Sequence, residues 1–160
     1  NLKIMSKINN ILQLEDEVAI IEAIGTLIWE KKEATEDFSE LTDEEQVFVF
    51  IDIFEGAMGE GGFHLFFNSE AGNFVEEIIT SYQEIKAPKT AELIANAVKI
   101  FPKKYTTDLN ERQALIAKAD EEVLSGWEDL DEIFFTNESE EDVVSLIVAY
   151  IKENESQFGN

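Results

Sequence analysis

Hydrophobic positions recur at steps of three and four along most of the chain, the period of amphipathic helices rather than strands. From Glu15 to about Lys32 they fall at Val18, Ile20, Ile21, Ile24, Leu27 and Ile28. Glu15, Asp16 and Glu17 precede this stripe and Lys31 and Lys32 close it, the order that a helix dipole favours. Thr42-Asp43-Glu44-Glu45 reads as a capping box opening a second helix. The run Val47-Phe48-Val49-Phe50-Ile51-Asp52-Ile53-Phe54 has the propensity of a buried strand. The cap in front of it favours helix, and no convincing second strand exists to pair with it.

Gly56 to Gly62 reads as a glycine-rich break, followed by a short aromatic helix over Phe63 to Phe67. Phe74, Val75, Ile78, Ile79, Tyr82 and Ile85 form another stripe, ended by Pro88. Thr90 is expected to cap a helix carrying Leu93, Ile94, Ala97, Val98 and Phe101, which Pro102 stops. A charged helix is expected from about Asp108 to Lys118. Trp127, Leu130, Ile133 and Phe134 mark a further one. Ser139 is read as the cap of the last, apolar at Val143, Val144, Ile147, Val148 and Ile151. The pattern predicts an all-α chain, a single compact domain of about seven to eight helices. Residues 1–14 read as an N-terminal tail or short helix, and 15–160 as the domain.

Composition changes this picture in one respect. Of 160 residues 44% are hydrophobic, twelve of them Phe, which is enough apolar material for a core and excludes disorder. Yet 35 acids face 12 bases, a formal charge of −23. Solubility of a small domain needs a net charge of only about 2–8 in magnitude, and the excess opposes compaction. Nucleic acid is excluded as a direct ligand, because neutralising phosphates takes clustered Lys and Arg. Anionic membrane surfaces are disfavoured likewise. A basic surface is the attractive partner; acid-rich or halophilic adaptation is the rival account. With no cysteine, disulfides and thiolate metal sites are impossible. The longest apolar stretch, Val143 to Ile151, is about half a bilayer span. The cytoplasm is the expected location.

The acids concentrate in one tract: Asp120, Glu121, Glu122, Glu128, Asp129, Asp131, Glu132, Glu138, Glu140, Glu141 and Asp142, with no Lys or Arg between them. Duplex DNA carries one charge per roughly 3.4 Å of each strand. Residues three or four apart on a helix are about 5–6 Å apart, so acidic helix faces can present phosphate-like rows. The rival reading is a solvated face whose acids also complement helix N-termini, as after Ser139.

Other motifs point away from chemistry. Gly56, Gly59, Gly61 and Gly62 lack the Lys-Ser/Thr of a phosphate loop, and Glu55 and Glu60 would repel phosphate. They read instead as a tight helix junction that lets Phe63, Phe66 and Phe67 enter the core. His64, the only histidine, has no evident nucleophile and reads as a partly buried junction residue. Only a deep pocket bringing two carboxylates to it would favour an enzyme. Asn137 to Asp142 lacks the alternation and central Gly of a calcium loop, so no metal and no cofactor is expected. Trp29 and Trp127 read as core or rim residues.

Gly61-Gly62-Phe63-His64-Leu65-Phe66-Phe67-Asn68-Ser69-Glu70-Ala71-Gly72 resembles the signature of a family of small bacterial proteins named after one described member, a DNA-mimic protein. The family pattern runs two Asn, Gly-Gly-Phe, any residue, Gln, Phe-Phe, any residue, Asn, two residues, Gly. Gly61, Gly62, Phe63, Phe66, Phe67 and Gly72 match it, while Gly59, Glu60, Leu65 and Ser69 depart from it. Ile85, Ala87, Thr90, Ala91, Ala97, Phe101 and Pro102 are similar to the family's helix, its "IGA" turn and a following helix ending in Phe-Pro. Leu130 to Phe135 and Tyr150-Ile151 are similar too, so that the resemblance covers roughly residues 42 to 158. It implies an all-α, DNA-mimic-like domain and a non-catalytic binder of a basic, DNA-binding protein such as a transcription factor. The alternative is a general interaction module, immunity-type or an assembly factor, whose acidity only solvates it.

Overall fold

The computed structural model describes residues 2–35 and 37–159, with side chains from Lys7 onward. Asn1 of the expected N-terminal tail lies outside them. The described residues are all-α: every regular element among them is a helix. In order these are α1 (Leu2–Leu12), α2 (Glu17–Glu33), α3 (Asp43–Phe67), a 3-10 turn (Glu70–Phe74), α4 (Val75–Glu84), α5 (Pro88–Ile100), α6 (Leu109–Ala117), α7 (Glu121–Phe135), α8 (Val143–Glu153) and a final 3-10 turn (Glu155–Gln157). They pack as two compact units, Asn1–Val49 with Asp142–Asn160, and Phe50–Glu141.

In the first unit α2 packs against α1 and α8. The Asp16 side chain accepts the Val18 N–H at 3.1 Å and caps α2. Ile20, Ile24 and Ile28, spaced by four, form its buried face, whereas Val18 is 50% exposed. The capping box of α3 is present in full. The Glu45 N–H donates to Thr42 Oγ1 at 3.1 Å, and the Thr42 N–H donates to Glu45 Oε1 at 3.0 Å. The propensity of Val47 to Phe54 for strand is therefore overridden, as a cap and a packed helical face outweigh it. Helix α8 is capped by Asp142, not by Ser139: Asp142 Oδ1 accepts the Ser145 N–H at 3.1 Å. The reason is local, since Glu140 has φ 58 and no helix can run from Ser139 through it.

In the second unit α3 continues through Gly56 and Gly59 and kinks only at Gly61–Gly62, so the expected break is confined to its last two residues. Gly62 has φ 71, a region that favours glycine. The kink lets Phe63, Phe66 and Phe67 turn inward, and all three are fully buried. Phe54 lies among them, with ring centroids 5.9 Å from Phe63, 5.1 Å from Phe66, 5.7 Å from Tyr82 and 5.5 Å from Phe134.

Helix α4 ends in a Schellman turn, with the Ala87 N–H donating to Tyr82 O at 2.8 Å and the Lys86 N–H to Gln83 O at 3.0 Å. Lys86 therefore adopts φ 68 where the family's "IGA" turn has glycine. Pro88 opens α5 rather than ending α4, because proline suits the first helical position. Thr90 accordingly lies inside the first turn and is not the cap. Its N–H and hydroxyl donate to Glu141 Oε1 at 2.7 and 2.6 Å, and the Lys89 N–H donates to Glu141 Oε2 at 3.0 Å. A carboxylate from a distant loop thus caps α5, satisfying N–H groups that no local side chain reaches. Trp127 is 1% exposed and its Nε1 donates to Ala97 O at 3.0 Å, which fixes α7 on α5.

Candidate partner-binding surface

The acidic tract is held by α7 and the turn after it. At 100° per residue, Glu121, Ser125, Glu128 and Glu132 fall on one outward stripe, with Glu122 and Asp129 in an adjoining row. All six are exposed. From Glu121 to Glu132 the stripe is about 16 Å long at 1.5 Å per residue. The inner face of α7 is Trp127 with the half-buried Val123, Leu130, Ile133 and Phe134.

The eleven acids divide by what they do. Asp120 caps α7 through the Val123 N–H at 3.0 Å, Asp142 caps α8, and Glu141 caps α5. Asp131 Oδ1 accepts the Phe63 N–H at 2.8 Å and so ties α7 to the kink of α3. A Cβ on Gly62 would collide with that carboxylate, a second reason for glycine there. The other seven (Glu121, Glu122, Glu128, Asp129, Glu132, Glu138 and Glu140) are exposed and make no hydrogen bond or ion pair to side chains or backbone of the described residues through their carboxylates. Glu138 and Glu140 sit on the turn after α7, where Asn137 takes φ 51 as its left-handed terminus.

The tract has cations at its edges. Lys89 Nζ reaches Ser139 O at 3.4 Å, and Lys118 borders a groove beside α7. Nor is negative charge confined to it. Residues 50–141 carry 20 acids and 7 bases, and the remainder of the chain 15 and 5. On α7 itself, five exposed carboxylates lie in two adjoining rows and make no hydrogen bond or ion pair among the described residues.

His64 is exposed rather than partly buried, because the kink turns Phe63 and Phe66 inward and leaves the residue between them facing out. With Gly61, Leu124, Trp127, Glu128 and Asp131 it lines a small half-open cavity of about 310 Å³. Two carboxylates, Glu128 and Asp131, share this cavity with the histidine, but no Ser, Thr, Lys or Tyr lines it with them. Among the described residues no group of three or more His, Asp or Glu is set to hold a metal ion.

Burial raises the Asp131 pKa above its ordinary value, and nearby Glu128 adds to this, while the Phe63 N–H and His64 oppose it. A carboxyl raised in the native state stabilises the fold at low pH, and that contribution is lost as pH rises through its native value. Asp131→Asn keeps an oxygen for the Phe63 N–H without the charge. It is expected to flatten the decline in stability above the ordinary carboxylate range. Urea unfolding of both proteins between pH 4 and pH 8 checks this; parallel pH profiles would show the expectation wrong.

Sequence reading missed the most unusual buried group. Arg112, the only arginine in the chain, is 0% exposed. Its guanidinium donates to Phe67 O (2.7 Å), Ser69 O (2.6 Å), Asn73 Oδ1 (2.9 Å) and Thr106 O (3.1 Å). The Tyr105 hydroxyl donates to Gly72 O beside it. Burial pushes the Tyr105 pKa up to about 12 and lowers that of Arg112. A Cβ on Gly72 would stand 3.0 Å from the guanidinium, so this loop is built around the arginine. The available signal was one arginine in a chain whose other bases are all lysine.

The model of the DMP19-like protein family matches residues 39–154. The chain belongs to this family. The match spans the whole of the second unit, including the α3 kink, the Arg112-centred loop and α7. No curated protein and no solved structure matches the chain. In this DMP19-like protein, no helix of the described residues is long and apolar enough to cross a membrane.

Proposed function

We propose that this protein is a non-catalytic acidic binder whose α7 ridge occupies the basic surface of a DNA-binding protein, in the manner of a DNA mimic. The observation that carries this reading is the division of labour among the acids. Seven carboxylates of the 120–142 tract take no part in capping or packing, and five of them lie in two rows on one helix. Crowded like charges cost stability at three- and four-residue spacing. A partner's cations would relieve that repulsion and gain a steered encounter. The family to which the chain belongs supports the same reading, as does the tract's lack of any internal Lys or Arg.

The test is capture from a lysate followed by binding to the purified DNA-binding protein it recovers. Replacing Glu121, Glu128, Asp129 and Glu132 by Lys, with Asp131 kept for its structural bond, is expected to lower affinity about a hundredfold. Affinity of the native chain should fall steeply with added salt. Recovery of no DNA-binding protein, or affinity indifferent to the four reversals, overturns the proposal.

One observation favours a second reading, a general interaction module with mixed contacts. Phe135, at the end of α7, is 57% exposed beside the acidic stripe. The other aromatic patch that would suit such a module, Phe63 to Phe67, is closed, because Phe63, Phe66 and Phe67 are buried. Weak salt dependence together with a large loss on Phe135→Ala would select this reading.

A further inference from the structure

Beside α7 runs a groove of about 700 Å³ formed within the second unit. Its floor is apolar: Phe101, buried, with the half-buried Ile100, Val123 and Gly126, and the exposed Pro102 at one edge where α5 stops. A Cβ on Gly126 would already stand 3.2 Å from Ile100 Cδ1, so the glycine lets the two helices approach closely. Its rim carries Asp120, Glu122 and Asp129 against a single base, Lys118.

An apolar floor under an acidic rim restricts the occupant. A phosphate or carboxylate ligand would face three like charges. A neutral apolar ligand would strip water from those carboxylates without replacing their hydrogen bonds. A bare metal ion finds no prepared ligand set among the described residues. A cation on an apolar stem satisfies both surfaces, and arginine does so best, since its forked donors match a carboxylate and its methylenes cover hydrocarbon.

The two ends of the rim set a spacing. Glu122 and Asp129 are seven residues apart on one helix, about 10 Å along its axis. An extended chain fits. In the polyproline-II form, residues i and i+3 point the same way about 9 Å apart. Resting on the proposed function above, we propose that the groove is the slot in which the partner seats an extended Arg-x-x-Arg segment. One guanidinium lies on Asp129, the other on Asp120 or Glu122, and the chain between them crosses Ile100 and Val123.

The test uses the full chain and two peptides of equal charge, acetyl-Ala-Arg-Ala-Ala-Arg-Ala-amide and acetyl-Ala-Ala-Arg-Arg-Ala-Ala-amide, titrated by NMR. The first is expected to bind about tenfold tighter and to shift the amides of Val123, Ser125 and Gly126. Ser125 is exposed and lines the groove, so Ser125→Trp fills it without altering charge. That variant should lose the preference between the peptides while its thermal unfolding stays close to that of the parent. Glu122→Gln with Asp129→Asn should lose it as well. Equal affinity for the two isomers, or a preference that survives Ser125→Trp, overturns the slot. The broader reading fails separately: a chain that prefers the first peptide yet retains no DNA-binding protein keeps its slot and loses the DNA-mimic role.

Discussion

Replacing Arg112 by methionine is expected to destabilise the second unit by about 3–5 kcal/mol, the scale of removing one member of a buried charged network. Methionine preserves the hydrophobic volume and removes every donor. Phe67 O, Ser69 O and Thr106 O then lose the bonds that Arg112 makes to them. Each charged hydrogen bond contributes about 1.5–3 kcal/mol, but the acceptors can recover part of that by admitting water. Arg112→Lys is expected to cost nearly as much, because one ammonium cannot reach acceptors spread over residues 67 to 73 and residue 106. Urea unfolding followed by Trp127 fluorescence, in a Trp29→Phe background, reads the second unit directly. A loss under about 1 kcal/mol for the methionine variant would mean that solvent serves these carbonyls as well as the guanidinium does.

The location of Arg112 explains why part of this molecule was legible in the sequence and part was not. Local rules worked where partners are close in the chain. Thr42 and Glu45 cap α3 three residues apart, and that cap, with no second strand to pair with, pointed Val47 to Phe54 to helix. The stripe through Ile20, Ile24 and Ile28 needed only the helical period, although Val18, which shares its chemistry, points to water. Long-range partnerships left no such trace. Thr90 looked like a cap because the acceptor that serves α5, Glu141, lies 51 residues away. The guanidinium of Arg112 gathers acceptors up to 45 residues distant. For the acidic surface the sequence supplied the set of candidates, but not their division into braces and free charges. Asp131 and Glu128 are alike in composition and three residues apart. Only the α3 kink, which presents the Phe63 N–H to one of them, makes their roles differ.

Glu45→Ala is expected to cost about 3 kcal/mol, although it removes one negative charge from a chain with a formal charge of −23. Generalised self-repulsion predicts the opposite sign, since deleting any acid should then help. Local geometry decides against it. Glu45 is 0% exposed, pairs with Lys31 Nζ at 2.7 Å, and accepts the Thr42 N–H at 3.0 Å and the Gly159 N–H at 3.0 Å. Its carboxylate therefore joins α2, the start of α3 and the C-terminal segment of the first unit. Glu45→Gln keeps one acceptor oxygen and should lose about half as much, whereas Glu44→Ala, in the same turn but only half-buried, should stay within about 0.5 kcal/mol. Thr42→Ala removes only its half of the box and should cost about 1 kcal/mol. A double-mutant cycle between Thr42 and Glu45 should show coupling of about 0.5–1 kcal/mol, because each side chain holds the other's N–H. Thermal unfolding of the parent, the four single variants and the Thr42–Glu45 double variant checks the set. If Glu45→Ala proves no costlier than Glu44→Ala, net charge rather than placement governs the stability of this unit.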